Sequence, residues 1–344
     1  LDRIVSRHLG ILAMTGMGKS NLVSLITKKI SEVKGTVIIF DYHNDYTTLN
    51  IPNVNVIDAK INPRLLEADQ FSEVLEIREN ADVQQRVLRM SFTQEVKEAG
   101  EFWNKLEYEV DLLVNSEDKK LKEIRTSAYR VQDIIEDAQR RFDDILDPEV
   151  GNPMEYIKEV YTNIINISEL SEKQANVAMG FYLQQLLKDR KNATIAKHGK
   201  SKKQKDYKFF EPVFIILEEA HVFIPKDHDT AAKYWAAKIA REGRKFGVGL
   251  GIVSQRPRSV DLNILSQMGS FAIMKIIQED DQRQIASATE STSRELISQL
   301  TSLNVGDAVL VGQWTNLPSM VHVEEVKETK MGADQSATKA WIKA

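Results

Sequence analysis

Lys19 and Ser20, preceded by two glycines, are the first residues of the chain whose types and spacing could do chemistry. Residues 13–20, AMTGMGKS, match the spacing A/G-x-x-x-x-G-K-S/T of a phosphate-binding loop, with Ala13 in the first position. Gly16 and Gly18 would let successive amide N–H groups turn toward one anion, and a following helix would add the positive end of its dipole. The alternative is a glycine turn between a strand and a helix that happens to carry Lys-Ser.

This loop predicts a site for ATP and Mg²⁺. Lys19 would reach the outer phosphates, and the Ser20 hydroxyl would hold the metal ion. The residues that we predict to bind the nucleotide are Thr15, Gly16, Met17, Gly18, Lys19, Ser20 and Asn21.

Two adjacent carboxylates follow an apolar run at residues 212–217, PVFIIL. Such a run is typical of a buried parallel strand, and it would deliver Glu218 and Glu219 to the carboxyl edge of the sheet, where α/β proteins bind ligands. Glu218 would lie near Mg²⁺, directly or through water, and Glu219 would be the base that activates the attacking water. The alternative is a solvated pair of acids that open a helix.

A third group of residues could stabilise the transferred phosphate. Gln255 ends the predicted strand 248–253 and could hold the lytic water, or it could simply cap that strand. Arg244, and after it Arg241, could stabilise charge that develops at the γ-phosphate, or they could satisfy the dipole at a helix end. Arg7, just before the first strand, is a weaker candidate for a phosphate contact.

Other polar residues leave alternatives open. Asp41 and Asp45, in FDYHNDY, could contact the metal shell or the water, and their spacing does not decide between these roles; we name Asp41 as a metal ligand. His43 and His221 have no partners at the spacing of metal ligands, so no zinc site is predicted.

The elements that must position these residues alternate between strands and helices. Continuous apolar, β-branched runs predict buried parallel strands, with the helix 21–33 after the loop and a helix from Glu219 to about Arg244. The predicted strands cover residues 9–14, 36–40, 54–57, 163–167, 212–217, 248–253, 271–276, 308–311 and 320–323. This alternation predicts an α/β fold with a mostly parallel central sheet.

A charged, helical stretch interrupts this alternation. Its apolar residues at 124, 128, 131, 135, 138, 142 and 145 alternate by four and three, which favours a helical seam packed within one chain over a partner-binding coiled coil. The predicted domains are a core of residues 1–62 and 155–326, an inserted helical bundle of residues 63–154, and a polar tail of residues 327–344.

Composition narrows the class of protein. The chain has 344 residues, a formal net charge of −4 and no cysteine, so a disulfide framework and thiolate metal sites are excluded. No apolar stretch is long enough for a membrane span and no signal peptide is visible, which predicts a cytoplasmic protein. Because it starts at Leu1 shortly before the loop, the chain could be a fragment of a longer protein.

Together these motifs resemble the HerA branch of the HerA/FtsK family of P-loop, RecA-like ATPases. The resemblance rests on AMTGMGKSN, FDYHNDY, FIILEEAH, AREGRKFGVGL and VSQRP, in that order, and on the helical insertion. It implies that Lys19 and Ser20 bind nucleotide and metal, that Glu219 is catalytic and that Gln255 is a sensor. It also implies that Arg244 acts across a subunit interface, whereas Arg7 resembles a second arginine that acts within its own subunit.

The family implies a hexameric ring that moves double-stranded DNA and works with a NurA-type nuclease in DNA end processing. Asp45 departs from the Glu that is common at its position, and the family's N-terminal β-barrel is missing before Leu1. Candidate DNA contacts are the basic loop 197–205, above all Lys200, Lys202, Lys203 and Lys205, and also Lys226 and Lys233. The alternative is that the basic loop is a solvent-exposed surface loop that makes no DNA contact.

Other functions remain open from the sequence. A conjugation- or secretion-type ATPase that pumps DNA would share the fold, although no membrane anchor is present in this sequence. A small-molecule phosphotransferase would need no arginine from another subunit, and a nucleotide-gated scaffold would bind ATP and barely hydrolyse it.

Overall fold

The computed structural model describes residues 1–78, 80–143, 145–197, 207–289 and 293–326. Within them, nine strands form one sheet in the order β3-β4-β2-β5-β6-β1-β7-β8-β9. In chain order the strands are β1 (Leu9–Leu12), β2 (Thr36–Asp41), β3 (Val54–Asp58), β4 (Thr162–Asn166), β5 (Val213–Leu217), β6 (Val248–Ser254), β7 (Ser270–Ile273), β8 (Asp307–Gly312) and β9 (Ser319–His322).

The sheet is parallel from β3 through β7, and only β8 and β9 join it antiparallel. Its central strands are buried on both faces, which is why their sequences are continuous apolar runs rather than alternating ones. The predicted α/β fold with a mostly parallel sheet is therefore confirmed. β5 and β6 are neighbours in the sheet, since Leu217 pairs with Ile252.

Fourteen α-helices and four short 3₁₀ helices lie in the described residues, and the α-helices position the site. They are α1 (Asp2–Arg7), α2 (Lys19–Glu32), α3 (Ala68–Val74), α4 (Asp82–Ser91), α5 (Gln94–Glu98), α6 (Phe102–Val114), α7 (Lys119–Lys122), α8 (Arg125–Arg141), α9 (Glu172–Lys197), α10 (Ala220–Phe223), α11 (Ala231–Phe246), α12 (Leu262–Leu265), α13 (Glu279–Ala288) and α14 (Arg294–Gln299).

The single helix predicted after Glu219 is wrong. A short α10 ends at Phe223, Pro225 forms a bridge with Val260, and α11 starts afresh at Ala231 with Thr230 as its N-cap. Proline lacks the amide hydrogen that a continuing helix needs, so the chain breaks there. After this break, α11 takes a new direction and leads back along the sheet to the start of β6.

The two faces of the sheet have separate hydrophobic cores. Alternate residues of β2 point to opposite sides, Val37 and Ile39 to one core and Ile38 and Phe40 to the other. α2 covers the first face with Leu22, Val23, Ile26 and Ile30. α9 and α11 cover the second face, where their backbones approach so closely that a Cβ added to Gly180 would lie 2.9 Å from the backbone carbon of Ala231.

Helices α3 to α8 lie between β3 and β4 in the chain. The seam residues Ala128, Val131, Ile135 and Ala138 of α8 are buried, and α8 packs on α4 and α6. This packing is within one chain, as favoured from the sequence. The base of the insertion is closed because Ile61 N donates to Ile145 O and Asp147 N donates to Ile61 O.

Candidate functional site

The phosphate-binding loop follows β1 at the carboxyl edge of the sheet. Gly16 and Gly18 have φ angles of 79° and 100°, which favour glycine because a side chain would be strained there. Ala13 N donates to Ser254 O and Met14 N donates to Lys275 O, so the loop is fixed to its two neighbouring strands. α2 begins at Lys19 directly after the loop, which gives the helix N-terminus that an anion site requires.

Lys19 lies at the centre of the acidic groups of the site. Its Nζ atom is 3.5 Å from Met14 O. Burial lowers the pKa of Lys19, while the nearby carboxylates of Glu219, Glu218 and Asp45 act in the opposite direction. All three carboxylates are therefore near enough to stabilise the charge that would meet the phosphates.

The loop after β2 supplies the carboxylate beside Ser20. The Ser20 hydroxyl donates to Asp45 Oδ2 at 3.3 Å. Asp41, which we predicted as a metal ligand, instead accepts the backbone N–H of Asp45 and of Tyr46, at 2.9 and 2.8 Å, one on each oxygen. Asp41 thus holds the loop after β2, and Asp45 is the carboxylate that contacts Ser20, so the predicted role of Asp41 as a metal ligand stays a prediction that these contacts do not favour.

Glu218 is buried at the end of β5 and is 3% exposed. Its Oε1 accepts the Tyr46 hydroxyl at 3.0 Å, whereas its buried Oε2 has no hydrogen-bond partner among the described residues. Burial, and after it the charges of Asp41 and Asp45, raises the pKa of Glu218 well above its ordinary value. The raised pKa favours the neutral carboxyl, which can share its proton with the neighbouring Asp41, whereas a cation near Oε2 would favour the carboxylate.

Glu219 adopts the left-handed conformation, with φ 45° and ψ 45°. Its two oxygens face two histidines: Oε2 lies 3.1 Å from His221 Nδ1, and Oε1 lies 3.6 Å from His43 Nε2. Burial acts to raise the pKa of Glu219, but contact with His221 and the charge of Lys19 outweigh it, so the pKa is lowered. The carboxylate is thus kept ionised, as a general base must be before it accepts a proton.

Gln255 follows β6 and reaches the loop. Its Oε1 accepts a short hydrogen bond from the Thr15 hydroxyl. The side chain predicted as a sensor therefore contacts the phosphate-binding loop directly.

Asn21 makes contacts that the sequence did not suggest. Its Nδ2 donates to Glu324 O at 2.9 Å, and its Oδ1 accepts from Val326 N at 2.7 Å. The side chain therefore fastens the segment after β9 to the start of α2, and only the backbone of Asn21 remains for the predicted nucleotide contact.

The three predicted arginines lie away from this cluster. Arg7 precedes β1 and Arg241 and Arg244 lie in the last turns of α11, so all three are at the amino edge of the sheet. The seven residues of β6 put roughly 20 Å of strand between that edge and the phosphate-binding loop. A role for Arg7 at the loop of its own subunit therefore conflicts with the structure. In the described residues, the side chains of Arg241 and Arg244 are exposed and make no hydrogen bond or ion pair with one another or with other residues.

Comparison with known proteins decides the family. Residues 1–186 match the family model described as "Helicase HerA, central domain". A DNA double-strand break repair helicase HerA from Sulfurisphaera tokodaii is 39% identical over 355 residues, covering 99% of this chain and 69% of that protein. The protein of the same description from Sulfolobus acidocaldarius is 37% identical with the same coverage. The chain belongs to the HerA helicase family.

Solved structures agree on the fold of this HerA-family chain. VirB4 of Thermoanaerobacter pseudethanolicus superimposes with a TM-score of 0.65 at 15% identity, covering 93% of this chain and 90% of that one. The plasmid coupling protein TrwB in complex with ADP and Mg²⁺ superimposes with a TM-score of 0.61 at 12% identity, covering 97% and 88%. The predicted resemblance and the P-loop ATPase assignment are confirmed, and with them the role of a DNA helicase or translocase.

The predicted DNA contacts are only partly visible. Lys200, Lys202, Lys203 and Lys205 lie outside the described residues. Lys233 is a poor candidate, because its Nζ lies 3.2 Å from Asp229 and 3.3 Å from Asp261 and its side chain is 14% exposed. Lys226 is exposed, so its role as a DNA contact stays a prediction.

Two residues of the site, Tyr46 and His221, were not predicted from the sequence. Tyr46 is fully buried yet bonds to Glu218, and His221 contacts Glu219, whereas the sequence analysis considered this histidine only as a metal ligand. The sequence signal that could have found both residues is their proximity in the chain, because each lies within a few residues of a predicted acidic site residue. Among the helices that the structure describes, none combines the length and apolar character that a bilayer crossing requires.

Proposed function

We propose that this HerA-family chain is an ATP-driven translocase and helicase of double-stranded DNA that works as a hexameric ring. We further propose that it acts in DNA end processing with a nuclease of the NurA type. The description of its relatives as DNA double-strand break repair helicases supports this proposal. Residues 1–62 and 155–326 would form the motor core, residues 63–154 an inserted bundle, and residues 327–344, which lie outside the described residues, a tail.

The main support for the proposed ring is the distance between the arginines and the acidic residues within one chain. Glu219, Lys19 and Gln255 meet at the carboxyl edge of the sheet, while Arg244 stands exposed at the amino edge. In a head-to-tail ring, the amino edge of one subunit would face the phosphate-binding loop of the next. Each site would then be completed by a neighbour, and hydrolysis would depend on assembly.

Within one site, each residue has a distinct task. Lys19 and the amides of residues 15–20 would bind the phosphates of ATP, and the lowered pKa of Glu219 keeps its carboxylate ready to accept a proton from the attacking water. Gln255, bonded to Thr15, would orient that water. Arg244 of the adjacent subunit would stabilise the charge that develops on the transferred phosphoryl group.

The donor set fits Mg²⁺. Ser20, Asp45 and the unpaired Glu218 Oε2 are hard oxygen ligands, while no cluster of three or more His, Cys, Asp or Glu in the described residues forms an all-protein metal site. Mg²⁺ prefers this arrangement, since it keeps waters and shares substrate phosphates. When bound, Mg²⁺ would neutralise charge on the β- and γ-phosphates.

The conjugation- or secretion-type alternative has weaker support. The likeness to VirB4 and TrwB, at 15% and 12% identity, concerns the fold alone. The 37–39% identity to repair helicases over 99% of the chain favours a repair motor.

The test is ATP turnover with and without linear duplex DNA, in the wild type and in Glu219→Gln. We expect DNA to stimulate the wild type and the variant to lose turnover by at least about 10²-fold, because the amide cannot accept the proton. Nucleotide binding, followed with a fluorescent ATP analogue, should stay within a few-fold of the wild type. An absence of DNA stimulation would reject the motor, and retained turnover in Glu219→Gln would reject the assigned base.

A further inference from the structure

His221 connects the predicted base to the strand that carries the sensor. Its Nδ1 atom lies 3.1 Å from Glu219 Oε2 and 3.3 Å from the hydroxyl oxygen of Ser254, the last residue of β6. Ser254 is fully buried, and the side chains of His221 and Glu219 are 12% and 7% exposed. A continuous polar path thus runs from β6 to Glu219 and is largely shielded from water.

The chemistry of the partners fixes the direction of the hydrogen bonds. A carboxylate oxygen accepts, so the 3.1 Å approach of His221 Nδ1 to Glu219 Oε2 stabilises the carboxylate when Nδ1 carries a hydrogen; no well-aligned hydrogen bond reaches Oε2 in the described residues, and the contact is electrostatic. Ser254 Oγ already accepts the backbone N–H of Arg256 at 3.0 Å, which holds the hydroxyl in place beside the imidazole. The His221 imidazole is therefore held against Ser254 Oγ, and the turn after Gln255 sets the position of that oxygen.

Glu219 needs such support because few other contacts hold its side chain in place. Its backbone is in the left-handed region, and its outer partner His43 is farther away, at 3.6 Å, with half of its side chain exposed. A general base must keep its oxygen within hydrogen-bond reach of water, and a misplacement of about 1 Å can cost about 10²-fold in rate. His221 is the inner, better shielded contact that can hold the carboxylate in place.

We propose that His221 and Ser254 are positioning residues that tie Glu219 to the end of β6. Glu219 and Gln255, which approach the attacking water from adjacent strands, are then held in one geometry. The imidazole acts on the carboxylate through this close contact and takes no proton from substrate. This inference rests on the proposed function, since it requires Glu219 to be the base.

The main test is a set of substitutions measured by DNA-stimulated ATP turnover. His221→Leu removes the donor, and we expect kcat to fall by about 10- to 100-fold with the KM for ATP within about threefold. His221→Asn places an amide N–H close to the position of Nδ1 and should recover most of the lost kcat. Ser254→Ala should lower kcat in the same direction by a smaller factor. His228→Leu, a change at an exposed histidine of the same segment, is the matched control and should keep wild-type kcat.

Combining His221→Leu with Glu219→Gln separates positioning from a general structural role. If His221 acts through Glu219, the double variant should be no slower than Glu219→Gln alone. A further loss of about 10-fold in the double variant, or no recovery in His221→Asn, would overturn the proposal. Retained turnover in Glu219→Gln alone would instead reject the assigned base, so failure of the inference and failure of the proposed function give different results.

Discussion

Glu219 combines a strained backbone with a stabilised charge. A left-handed conformation at a residue other than glycine costs about 1–3 kcal/mol and persists only where the surroundings hold it. Here the short helix α10 follows directly, and two histidines face the carboxylate. Burial raises the pKa of Glu218, whereas contact with His221 and the charge of Lys19 lower the pKa of Glu219, so the two adjacent acids have opposite pKa shifts.

At the scale of single residues, the phosphate-binding loop and the acids that follow β5 could be located from the sequence, whereas the contacts of their neighbours could not. The spacing of Gly16, Gly18, Lys19 and Ser20 specifies the loop because few other sequences satisfy its backbone angles and charge. Which of Asp41 and Asp45 approaches Ser20 depends on how one loop folds over the end of its own strand, and no spacing rule contains that information. Tyr46 was missed because its contact with Glu218 joins residues that are distant in the chain.

His8 provides a residue-scale prediction of pH dependence. Burial lowers its pKa to about 4, with its Nδ1 accepting from Leu250 N. The unfolded chain, with an ordinary pKa of about 6.5, binds the proton first as the pH falls. The stability contributed by neutral His8 is therefore complete above pH 6.5 and is lost between pH 6.5 and 4, by up to about 3 kcal/mol.

Urea unfolding at several pH values measures this effect. His8→Gln, which keeps an acceptor and a donor without a titrating ring, should flatten the slope of stability against pH in that window. An equal slope in the two proteins would show that other groups cause the loss.

At the scale of elements, long buried strands were predictable and the path of α11 was not. The run PVFIIL specifies β5 because only a strand buried on both faces tolerates so many apolar residues in sequence. The break before α11 depends on Pro225 meeting Val260, a contact across the chain. The placement of Arg244 follows from this break, because a helix directed back along the sheet must end at the amino edge.

The crossing of α9 and α11 gives an element-scale prediction. Gly180→Ala would place a methyl 2.8 Å from the Ala231 Cβ and 2.9 Å from its backbone carbon, which forces the two helices apart. The clash costs about 1–3 kcal/mol, while the better helix propensity of alanine returns up to about 1 kcal/mol. We expect a net loss of about 1 kcal/mol in urea unfolding.

Gly100→Ala adds the same methyl where no atom lies within 4 Å, and it should be neutral or slightly stabilising. If both variants unfold at the same urea concentration, the close approach of α9 and α11 is not a real constraint.

At the scale of the whole molecule, the proposed ring requires Lys19 and Arg244, which lie at opposite edges of the sheet, to act together from different subunits. Arg244→Ala should abolish turnover, and so should Lys19→Ala. If Arg244 acts in a neighbour, co-assembled subunits of the two variants should regain activity, because roughly a quarter of randomly formed interfaces then combine an intact loop with an intact arginine. ATP turnover of rings assembled from equal amounts of both variants measures this recovery.

Lys19→Ala mixed with Glu219→Gln is the control, since both changes damage the same half of the site and no interface should recover. Turnover in the Arg244→Ala mixture at the level of this control would place the arginine within its own subunit.

The position of β1 in the middle of the sheet also affects how the protein is made. β1 pairs with β6 and β7, and His8 meets Leu250, which is 242 positions away. During synthesis the phosphate-binding loop therefore emerges long before the strands that fix it. Such distant pairing slows folding and leaves apolar edges exposed in intermediates. The first motif in the sequence is thus expected to be among the last to become native, and a nascent chain that stalls before β6 would leave β1 unpaired and prone to aggregation.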